Sequence, residues 1–347
     1  MKNILQGFGL SGESIVVPIK QGLIHNTFRA TDDTYDILLQ KINDHIFKNV
    51  LALQQNYLTI YNHFQQKTSA FKLPELITTK NQELLLQKDD GEIWRAFSFI
   101  SNSFTYESIT DTQQAFEAAQ CYGKLTAQLT DLPFSAIEKT IPHFHDISYR
   151  FNEFTEALGK ANNSNKILAS NQIETIIQYS FITDFYQFIT YQPHLFRQYI
   201  LHHDCKISNI LFDKKTNEII CPVDLDTTMS GYFFSDLGDM IRSVGNNLPE
   251  DSKDLEQMKV NKEIIEAVEK GYSSAMATYL TPDENKWLPY SGHILTYMQA
   301  LRFLTDFLNG SIYYKINYPL HNLDRTNNQL RFLQLLMEWR EWPLQDT

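Results

Sequence analysis

The chain has 347 residues, 43% of them hydrophobic and 20% charged, and its formal net charge at pH 7 is −11. A chain of this length can bury a large core and form two lobes, and its acidic balance without a basic cluster argues against a nucleic-acid partner. The three cysteines (Cys121, Cys205 and Cys221) are too few and too scattered for a disulfide framework or a zinc site.

Membrane and export signals are not evident in the sequence. No stretch reaches the roughly 18 consecutive apolar residues of a membrane-spanning helix. The opening residues MKNILQGFGLSGES lack the sustained apolar segment of a secretory signal. We therefore expect a cytoplasmic protein with no membrane partner.

The first 100 residues predict an antiparallel sheet with one helix. Short apolar runs bounded by turn residues are typical of strands, and the longer segment Asn49–Gln66 is predicted to be the helix. The predicted strands are Ile15–Ile19, Thr27–Ala30, Tyr35–Ile42, Lys72–Ile77, Glu83–Leu86 and Glu92–Ile100.

After residue 100 the chain becomes helical. Thr112–Leu129 carries apolar residues at helical spacing, and residues 151–200 predict further helices with a surface loop at Lys160–Lys166. Lys262–Arg340 is predicted to be amphipathic helix. The segment Ile141–Asp146 holds two histidines and an aspartate, which could bind a metal. No further ligands with metal-site spacing are in view, so a structural or substrate-lining turn is favoured.

The strongest chemical signal lies in Leu201–Asp226. Asp204 is followed five residues later by Asn209, and two apolar runs around a polar turn predict a β-hairpin that ends at Asp224 and Asp226. Two carboxylates and an amide oxygen near one another suit phosphoryl transfer: Asp204 would accept the proton of an attacking hydroxyl, while Asn209 and Asp224 hold magnesium on nucleotide phosphates. The alternative is an ordinary hairpin with solvated acids at its ends.

This order of Asp, Asn and Asp is that of the protein-kinase catalytic loop, although Val223–Asp226 replaces the Asp-Phe-Gly signature. The replacement resembles the aminoglycoside-phosphotransferase-like kinases, whose substrates are small molecules. The resemblance implies an α/β (α+β) class with a two-lobed, protein-kinase-like fold. A small N-terminal lobe with an antiparallel sheet and one helix, residues 1–100, would bind the nucleotide, and a larger, mostly helical lobe, residues 101–347, would carry catalysis and acceptor binding.

In a lobe of that kind, the loop between the first two strands covers the ATP phosphates. Here that loop holds a single glycine, Gly22, and would equally suit a plain hairpin. The third strand offers Gln40 or Lys41 to grip the phosphates; their side chains point to opposite faces, and the sequence leaves both open. Phe99 and Ile100, at the end of the last strand, are predicted to contact the nucleotide at the hinge.

Five segments together make the resemblance more specific. They are Ile141–Asp146, His202–Asn209, Val223–Gly231, Asp236–Arg242 and Arg302–Tyr313, the last followed closely by His321–Leu323 and Arg325–Thr326. This set is similar to the bacterial N-acetylhexosamine 1-kinases, and the similarity runs from about residue 15 to residue 335. It implies ATP and Mg²⁺ as cofactors and the anomeric hydroxyl of GlcNAc or GalNAc as the acceptor.

The resemblance also implies roles for single residues. Asp204 matches the base, and Asn209 and Asp224 match the metal ligands. Asp226 either belongs to the metal shell or caps the turn. Asp236 is expected to brace the catalytic loop rather than to touch substrate.

Arg302 and Tyr313 match residues that line the sugar pocket; without the resemblance, Arg302 could pair with an acid and Tyr313 could belong to the core. The family's small-lobe loop usually reads Gly-His-Ile-Asn, with the histidine facing the sugar. Leu23 stands at that histidine here, and His25 at the asparagine, which makes His25 the candidate substrate contact. His203 replaces the usual asparagine beside the base. These departures leave the choice of sugar open.

Two rival functions remain. A kinase of the same fold could act on homoserine, choline, ethanolamine or an aminoglycoside, but a cationic substrate needs a pocket rich in acids, whereas Arg302 favours an uncharged polyol. A catalytically silent regulator that binds a sugar or nucleotide is the second rival. A regulator without catalytic activity would have no physical need to retain Asp204, Asn209 and Asp224, so the presence of all three argues against this rival.

Overall fold

The structure, a computed structural model, describes residues 1–19, 24–67, 71–109 and 111–343. The chain forms two compact units, each described by itself below. The sheet unit comprises Met1–Glu107, Gln128–Pro142 and Ile207–Ser230, and the helical unit comprises Ser108–Ala127, His143–Lys206 and Gly231–Thr347. The predicted class, with an antiparallel sheet in the N-terminal region and helices in the C-terminal region, is confirmed. The lobe boundary at residue 100 stays a prediction.

The secondary structure alternates short strands with helices of very different lengths. The strands are β1 Ile15–Ile19, β2 Asn26–Thr31, β3 Asp36–Lys41, β4 Leu76–Ile77, β5 Leu86–Gln87, β6 Ile93–Ser98, β7 Ser103–Phe104, β8 Gln198–Leu201, β9 Ile210–Asp213, β10 Ile219–Pro222 and β11 Met229–Tyr232. The α-helices are α1 Lys2–Gly7, α2 Val50–Gln65, α3 Thr112–Gln128, α4 Ile147–Lys160, α5 Asn163–Leu168, α6 Ser170–Gln178, α7 Phe181–Tyr191, α8 Phe234–Val244, α9 Lys262–Met276, α10 Pro282–Trp287, α11 Ser291–Leu308 and α12 His321–Trp339.

The main sheet of the sheet unit has the order β1-β2-β3-β6-β4, with β5 also paired to β6, and these neighbouring strands pair antiparallel. One face packs on α1, a helix that the sequence did not predict because six residues are too few to show a helical period. The apolar cluster on this face consists of Ile4, Leu5, Phe8, Leu10, Ala30, Ile37, Leu39, Trp94 and Ala96.

The opposite face of the same sheet carries Leu38 and Phe97 together with a group of polar side chains. Gln40 lies directly across from Thr27 on β2 and from Arg95 on β6. Because directly opposed residues in a sheet point to the same side, these three side chains share one face, and Lys41 lies on the α1 face. The alternation predicted for Gln40 and Lys41 is therefore confirmed.

A second, three-stranded sheet in the sheet unit contains the predicted hairpin. Strand β9 pairs with β10 on one side and β7 on the other. The turn forms because the Asp213 carboxylate accepts hydrogen bonds from the Lys215 and Thr216 amides (2.7 and 3.0 Å) and Asn217 adopts a φ of 62°. The hairpin delivers Asp224 just after β10.

In the helical unit, α11 is buried along almost its whole length, and α4, α8 and α12 pack around it. The surface loop predicted at Lys160–Lys166 is partly wrong, because α5 begins at Asn163. The Asn162 side chain caps that helix by accepting from the Asn165 amide at 2.8 Å. Within the described ranges, no helix is both long and apolar enough to cross a membrane.

Two glycines in helices test the packing of this unit. A Cβ at Gly271 on α9 would lie 2.1 Å from the backbone oxygen of Phe116 on α3, whereas a Cβ at Gly159 on α4 would meet nothing within 4 Å. We expect Gly271→Ala to lower the free energy of unfolding by about 1–3 kcal/mol through overpacking. Gly159→Ala, the matched control, should raise it by about 0.4–1 kcal/mol. Urea denaturation measures both, and equal stability of the two variants would contradict the packing.

Candidate active site

Asn209 and Asp224, the predicted magnesium ligands, lie in adjacent turns of the sheet unit. The Val223 amide donates to the Asn209 carbonyl at 2.8 Å, which ties the two turns together. Asp224 has φ 61° and ψ 54°, a left-handed conformation that costs an aspartate about 1–3 kcal/mol and persists only where the surroundings enforce it. Among the side chains that the structure describes, no group of three or more His, Cys, Asp or Glu residues could hold a metal ion. One carboxylate and one amide oxygen suit Mg²⁺, which takes its remaining ligands from water and phosphates.

Asp226, two residues further, is the centre of a buried hydrogen-bonded group, hereafter the Asp226 network, formed by Asp226, Arg95, His25 and Gln40. Arg95 Nη1 donates to Asp226 Oδ1 at 2.7 Å and Nη2 to Oδ2 at 2.6 Å, in a bidentate ion pair. Arg95 Nε donates to Gln40 Oε1 at 2.9 Å. Burial alone would raise the pKa of the Asp226 carboxyl, but Arg95 and His25 outweigh it and the pKa lies below its ordinary value.

His25 completes this network in one defined tautomer. Its Nδ1 accepts from the Asn43 amide at 3.1 Å, so the proton of the neutral ring sits on Nε2, which donates to Asp226 Oδ2 at 2.6 Å. The ring stacks on Phe47 with centroids 5.4 Å apart. Both ring nitrogens thus have protein partners, although the role of His25 as a substrate contact stays a prediction.

Lys41 and Gln40 occupy different surroundings. Lys41 Nζ lies 2.6 Å from Glu92 Oε1, beside a groove of about 480 Å³ that Asn26 and Asn43 also line. Lys41, together with Lys88, holds the pKa of Glu92 down to about 2. Gln40 instead accepts a hydrogen bond from Arg95 Nε and donates one to Thr27 Oγ1. Which of the two contacts phosphate stays a prediction, and Gly22 lies outside the described residues.

The predicted hinge residues are held by local bonds in the sheet unit. The Phe99 amide donates to the Asp36 carbonyl at 2.9 Å, and the Arg29 guanidinium lies 4.1 Å above the Phe99 ring. Ser103 Oγ donates to the Ile100 carbonyl at 2.6 Å. These contacts fix the backbone of the segment at Asp36 and Ser103, and its contact with a nucleotide stays a prediction.

In the helical unit, two aspartates on one face of α8 hold the loop that carries Asp204. Asp236 accepts from the amides of His202 and His203 at 3.1 and 2.8 Å, which confirms its predicted bracing role. Asp239 accepts from the amide of Cys205 at 2.9 Å. Residues three apart on a helix share a face, so one turn of α8 fixes the backbone on both sides of Asp204.

Charged side chains reinforce this arrangement. Arg242 donates to Asp239 Oδ1 through Nε and Nη2 at 3.1 and 2.9 Å, and to Glu250 through Nη1 at 2.7 Å. Lys206 Nζ lies 2.7 Å from Asp204 Oδ1. Burial would lower the pKa of Lys206, but Asp204 and Asp239 outweigh it and raise that pKa, so the ammonium stays charged beside the predicted base.

The segment Ile141–Asp146 contributes side chains to the same loop. His145 Nδ1 and His203 Nδ1 both contact the Ser235 hydroxyl, the latter at 2.6 Å, and the two Nδ1 atoms are 3.3 Å apart. One hydroxyl proton cannot serve two acceptors, so one imidazole donates to Ser235 while the other accepts from it. Burial, His203 and the charge of Arg302 lower the pKa of His145 well below its ordinary value.

Arg302 is enclosed by aromatic rings. Its guanidinium carbon lies 5.2 Å from the ring centre of Phe144, 5.9 Å from that of Tyr313 and 5.6 Å from that of Tyr314. Its Nη1 donates to Gln299 Oε1 at 3.2 Å. Tyr313 is 59% exposed, so the core alternative for this residue is wrong. Phe144 also stacks on His145, next to His203 and the predicted base.

A single buried carboxylate shapes the loop that carries the two tyrosines. Asp306 Oδ1 accepts from the amides of Ile312 and Tyr313 at 3.0 and 2.8 Å. Its Oδ2 accepts from the Tyr314 amide and the Asn322 side chain at 3.0 and 2.8 Å. The positions of the tyrosines are thus set by backbone hydrogen bonds to one residue of α11 rather than by side-chain packing alone.

Sequence reasoning missed Arg95, Phe144 and Tyr314 as site residues. Arg95 appeared only as part of a core strand, although an arginine in an otherwise apolar β-strand is itself a signal, because a buried guanidinium requires a carboxylate partner. Phe144 lies inside the segment Ile141–Asp146, which had been considered for its histidines and aspartate, and Tyr314 directly follows Tyr313.

Residues 15–276 match the model of a protein family described as the phosphotransferase enzyme family, APH. Solved structures with a similar fold include a microcompartment-associated aminopropanol kinase, 14% identical, with 97% of each chain covered and a TM-score of 0.64. Spectinomycin phosphotransferase in complex with ADP and spectinomycin is 11% identical, with 93% of this chain and 92% of that chain covered and a TM-score of 0.56. Choline kinase from Cryptosporidium parvum Iowa II is 16% identical, with 94% and 90% covered and a TM-score of 0.53.

The lowered pKa of His145 predicts a pH dependence of stability. The unfolded chain binds a proton at this histidine below about pH 6.5, whereas the folded protein resists protonation. Stability should therefore fall as the pH drops below that value, by at most about 1.4 kcal/mol per pH unit from this residue. Urea denaturation at several pH values should show a flatter profile for His145→Asn than for the wild type. The exposed His194→Asn variant is the control, and a profile unchanged in His145→Asn would contradict the prediction.

Proposed function

Because the chain belongs to the APH phosphotransferase enzyme family, whose model it matches over residues 15–276, we propose that it is an ATP- and magnesium-dependent sugar kinase. The proposed acceptor is the anomeric hydroxyl of an N-acetylhexosamine, GlcNAc or GalNAc, and the product is the sugar 1-phosphate. The observation that supports this choice of acceptor is the position of the Arg302 guanidinium, which is surrounded by the rings of Phe144, Tyr313 and Tyr314.

The proposed chemistry assigns one step to each site residue. Asp204 orients the anomeric hydroxyl and accepts its proton as O1 bonds to the γ-phosphorus and the bond from that phosphorus to the departing ADP oxygen breaks. Lys206 holds Asp204 Oδ1 at 2.7 Å, which fixes the carboxylate orientation. Asn209 and Asp224 hold Mg²⁺, which when bound neutralises charge on the phosphates. Most of the catalysis then comes from positioning and charge.

The surroundings of Arg302 support an uncharged acceptor. A sugar offers hydroxyl groups to a guanidinium and an apolar ring face to an aromatic side chain, and Arg302 with Tyr313 supplies both kinds of surface. Burial and His203 are the largest causes of the lowered pKa of His145, and the charge of Arg302 follows them. Arg150 is paired with Glu153, and Arg242 with Asp239 and Glu250. Arg302 is therefore the positive charge that is proposed to disfavour an ammonium substrate such as an amino alcohol or an aminoglycoside.

The remaining proposed contacts rest on sequence order and resemblance. Lys41, Phe99 and Ile100 are proposed to contact the nucleotide, with Gln40 as the alternative to Lys41. The choice of the C1 hydroxyl rests on the similarity to N-acetylhexosamine 1-kinases. The family match ends at residue 276, before Arg302, so the acceptor assignment draws on a different part of the chain from the phosphoryl-transfer assignment.

The proposed function predicts which acceptors release ADP from MgATP. GlcNAc and GalNAc should be turned over, while choline, homoserine and an aminoglycoside should not, because Arg302 repels a cation. Phosphorus NMR of the product should show the phosphate coupled to the anomeric proton. Turnover of an amine alone would leave the family assignment intact and overturn the sugar proposal.

Matched variants separate chemistry from binding in that assay. Asp204→Asn removes the proton acceptor and should lower kcat by about 10²–10⁴-fold while ADP still binds. Asp33→Asn, on an exposed turn of the sheet unit, should leave turnover unchanged. Full activity of Asp204→Asn would exclude this residue as the base.

Arg302 should contribute to acceptor affinity. Replacing Arg302 with glutamine removes charge-assisted hydrogen bonds worth about 1.5–3 kcal/mol, so kcat/KM for the sugar should fall about 10–100-fold while KM for ATP stays constant. Lysine should not restore activity, since it lacks the planar fork of donors. Arg331→Gln on α12 is the control. An Arg302→Gln enzyme with unchanged sugar KM would contradict the proposed pocket.

A further inference from the structure

The Asp226 network commits every oxygen of the Asp226 carboxylate to protein donors. Arg95 spans both oxygens, and His25 Nε2 adds a second bond to Oδ2 at 2.6 Å. The Arg95 and Asp226 side chains are 2% and 4% exposed. A buried ion pair contributes little net stability because both charges lose their water. Net stability therefore does not explain why this pair lies two residues from Asp224.

We infer that Arg95 and His25 are positioning residues that act through Asp226 to set Asp224 for magnesium, and that Asp226 is not itself a magnesium ligand. This inference rests on the proposed role of Asp224 in the proposed function. It assigns the network to a specific task, the conformation of one residue, rather than to general stability of the sheet unit.

The turn around Asp224 requires such a device. Asp224 is left-handed, and residues 225–227 form a short 3-10 turn directly after it. On one side the turn is held by the Val223–Asn209 backbone bond of 2.8 Å. On the other side it is held at Asp226, whose carbonyl accepts from Thr140 Oγ1 at 2.8 Å and whose carboxylate is gripped by Arg95. Release of that grip would free the turn to relax toward a less strained conformation.

The network also connects the turn to a rigid support. Arg95 reaches β3 through Gln40, and Gln40 Nε2 in turn donates to Thr27 Oγ1 on β2 at 3.2 Å. His25 is fixed by the Asn43 amide and the Phe47 ring. Three neighbouring strands thus determine where Asp226 lies, and Asp226 determines where Asp224 lies.

Direct coordination by Asp226 conflicts with this geometry. A magnesium ion on Oδ1 or Oδ2 would have to displace a guanidinium or an imidazole N–H, or else share an oxygen with a cation at close range. In a buried setting that repulsion is poorly screened. The arginine fork, with its third bond from Nε to Gln40, fills the donor directions on that side.

The test measures magnesium-dependent ADP binding by calorimetry, which requires no acceptor. Arg95→Lys keeps the positive charge but loses the two parallel N–H donors of the guanidinium. The factor by which Mg²⁺ increases the affinity for ADP should therefore fall at least about tenfold. Binding of ADP in EDTA should change less than about twofold. Arg331→Lys on α12, whose guanidinium is 3.9 Å from Glu338, is the matched control.

The same measurement distinguishes a direct ligand. If Asp226 bound magnesium itself, Arg95→Lys would leave the magnesium dependence at the wild-type value or strengthen it, and that result would overturn the inference. His25→Leu, which removes a donor to Asp226 without changing charge, should weaken magnesium dependence in the same direction, and His25→Gln should restore part of it. These variants keep the test decisive if Arg95→Lys fails to fold. Failure of the sugar proposal would appear only in the acceptor assay.

Discussion

The ion pair between Arg95 and Asp226 is the constraint on which the proposed magnesium site of the sheet unit depends. It joins residues 131 positions apart in the sequence and lies on the face of the main sheet opposite α1. Two buried charges are expensive to remove from water, and the cost is met only when each donor and acceptor is satisfied, as Gln40 and His25 achieve here. The Asp226 network thus fixes one side of the Asp224 turn, and the backbone bond from Val223 to Asn209 holds the other.

In the helical unit, buried carboxylates likewise fix the conformation of loops through hydrogen bonds. The carboxylates of Asp236 and Asp239 accept hydrogen bonds from backbone amides of the loop around Asp204. Arg242 fixes the orientation of Asp239. Asp306 likewise accepts hydrogen bonds from the amides of Tyr313 and Tyr314. A carboxylate has several acceptor directions, so one side chain can hold two or three amides and define a loop that has no regular hydrogen-bonding partner of its own.

The fold was largely predictable because its signals are local. The hairpin that carries Asp224 followed from two apolar runs and a polar turn, and helix α2 was predicted to within a residue at each end. Helix α1 was missed because it is too short to show a period. The Asp226 network was missed for a different reason: its members are far apart in sequence, and residue type alone cannot pair His25 with a carboxylate 201 positions away. Asp226 was singled out as a residue of the metal shell or a cap of the turn, which stays a prediction, and only three-dimensional contacts show its partners.

The acceptor is the part of the function that fold similarity determines least. Proteins with this fold include an aminopropanol kinase, a choline kinase and a spectinomycin phosphotransferase, so one scaffold serves chemically different acceptors. Selectivity must then come from side chains outside the shared phosphoryl-transfer machinery. Arg302 on α11 lies beyond the family-matched residues 15–276, as do Tyr313 and Tyr314 on the loop that Asp306 fixes, whereas Phe144 lies within them. Under the proposed function, the guanidinium of Arg302 repels a cationic acceptor and offers a planar set of donors to hydroxyl groups, which is the physical reason for proposing a neutral sugar rather than an amine.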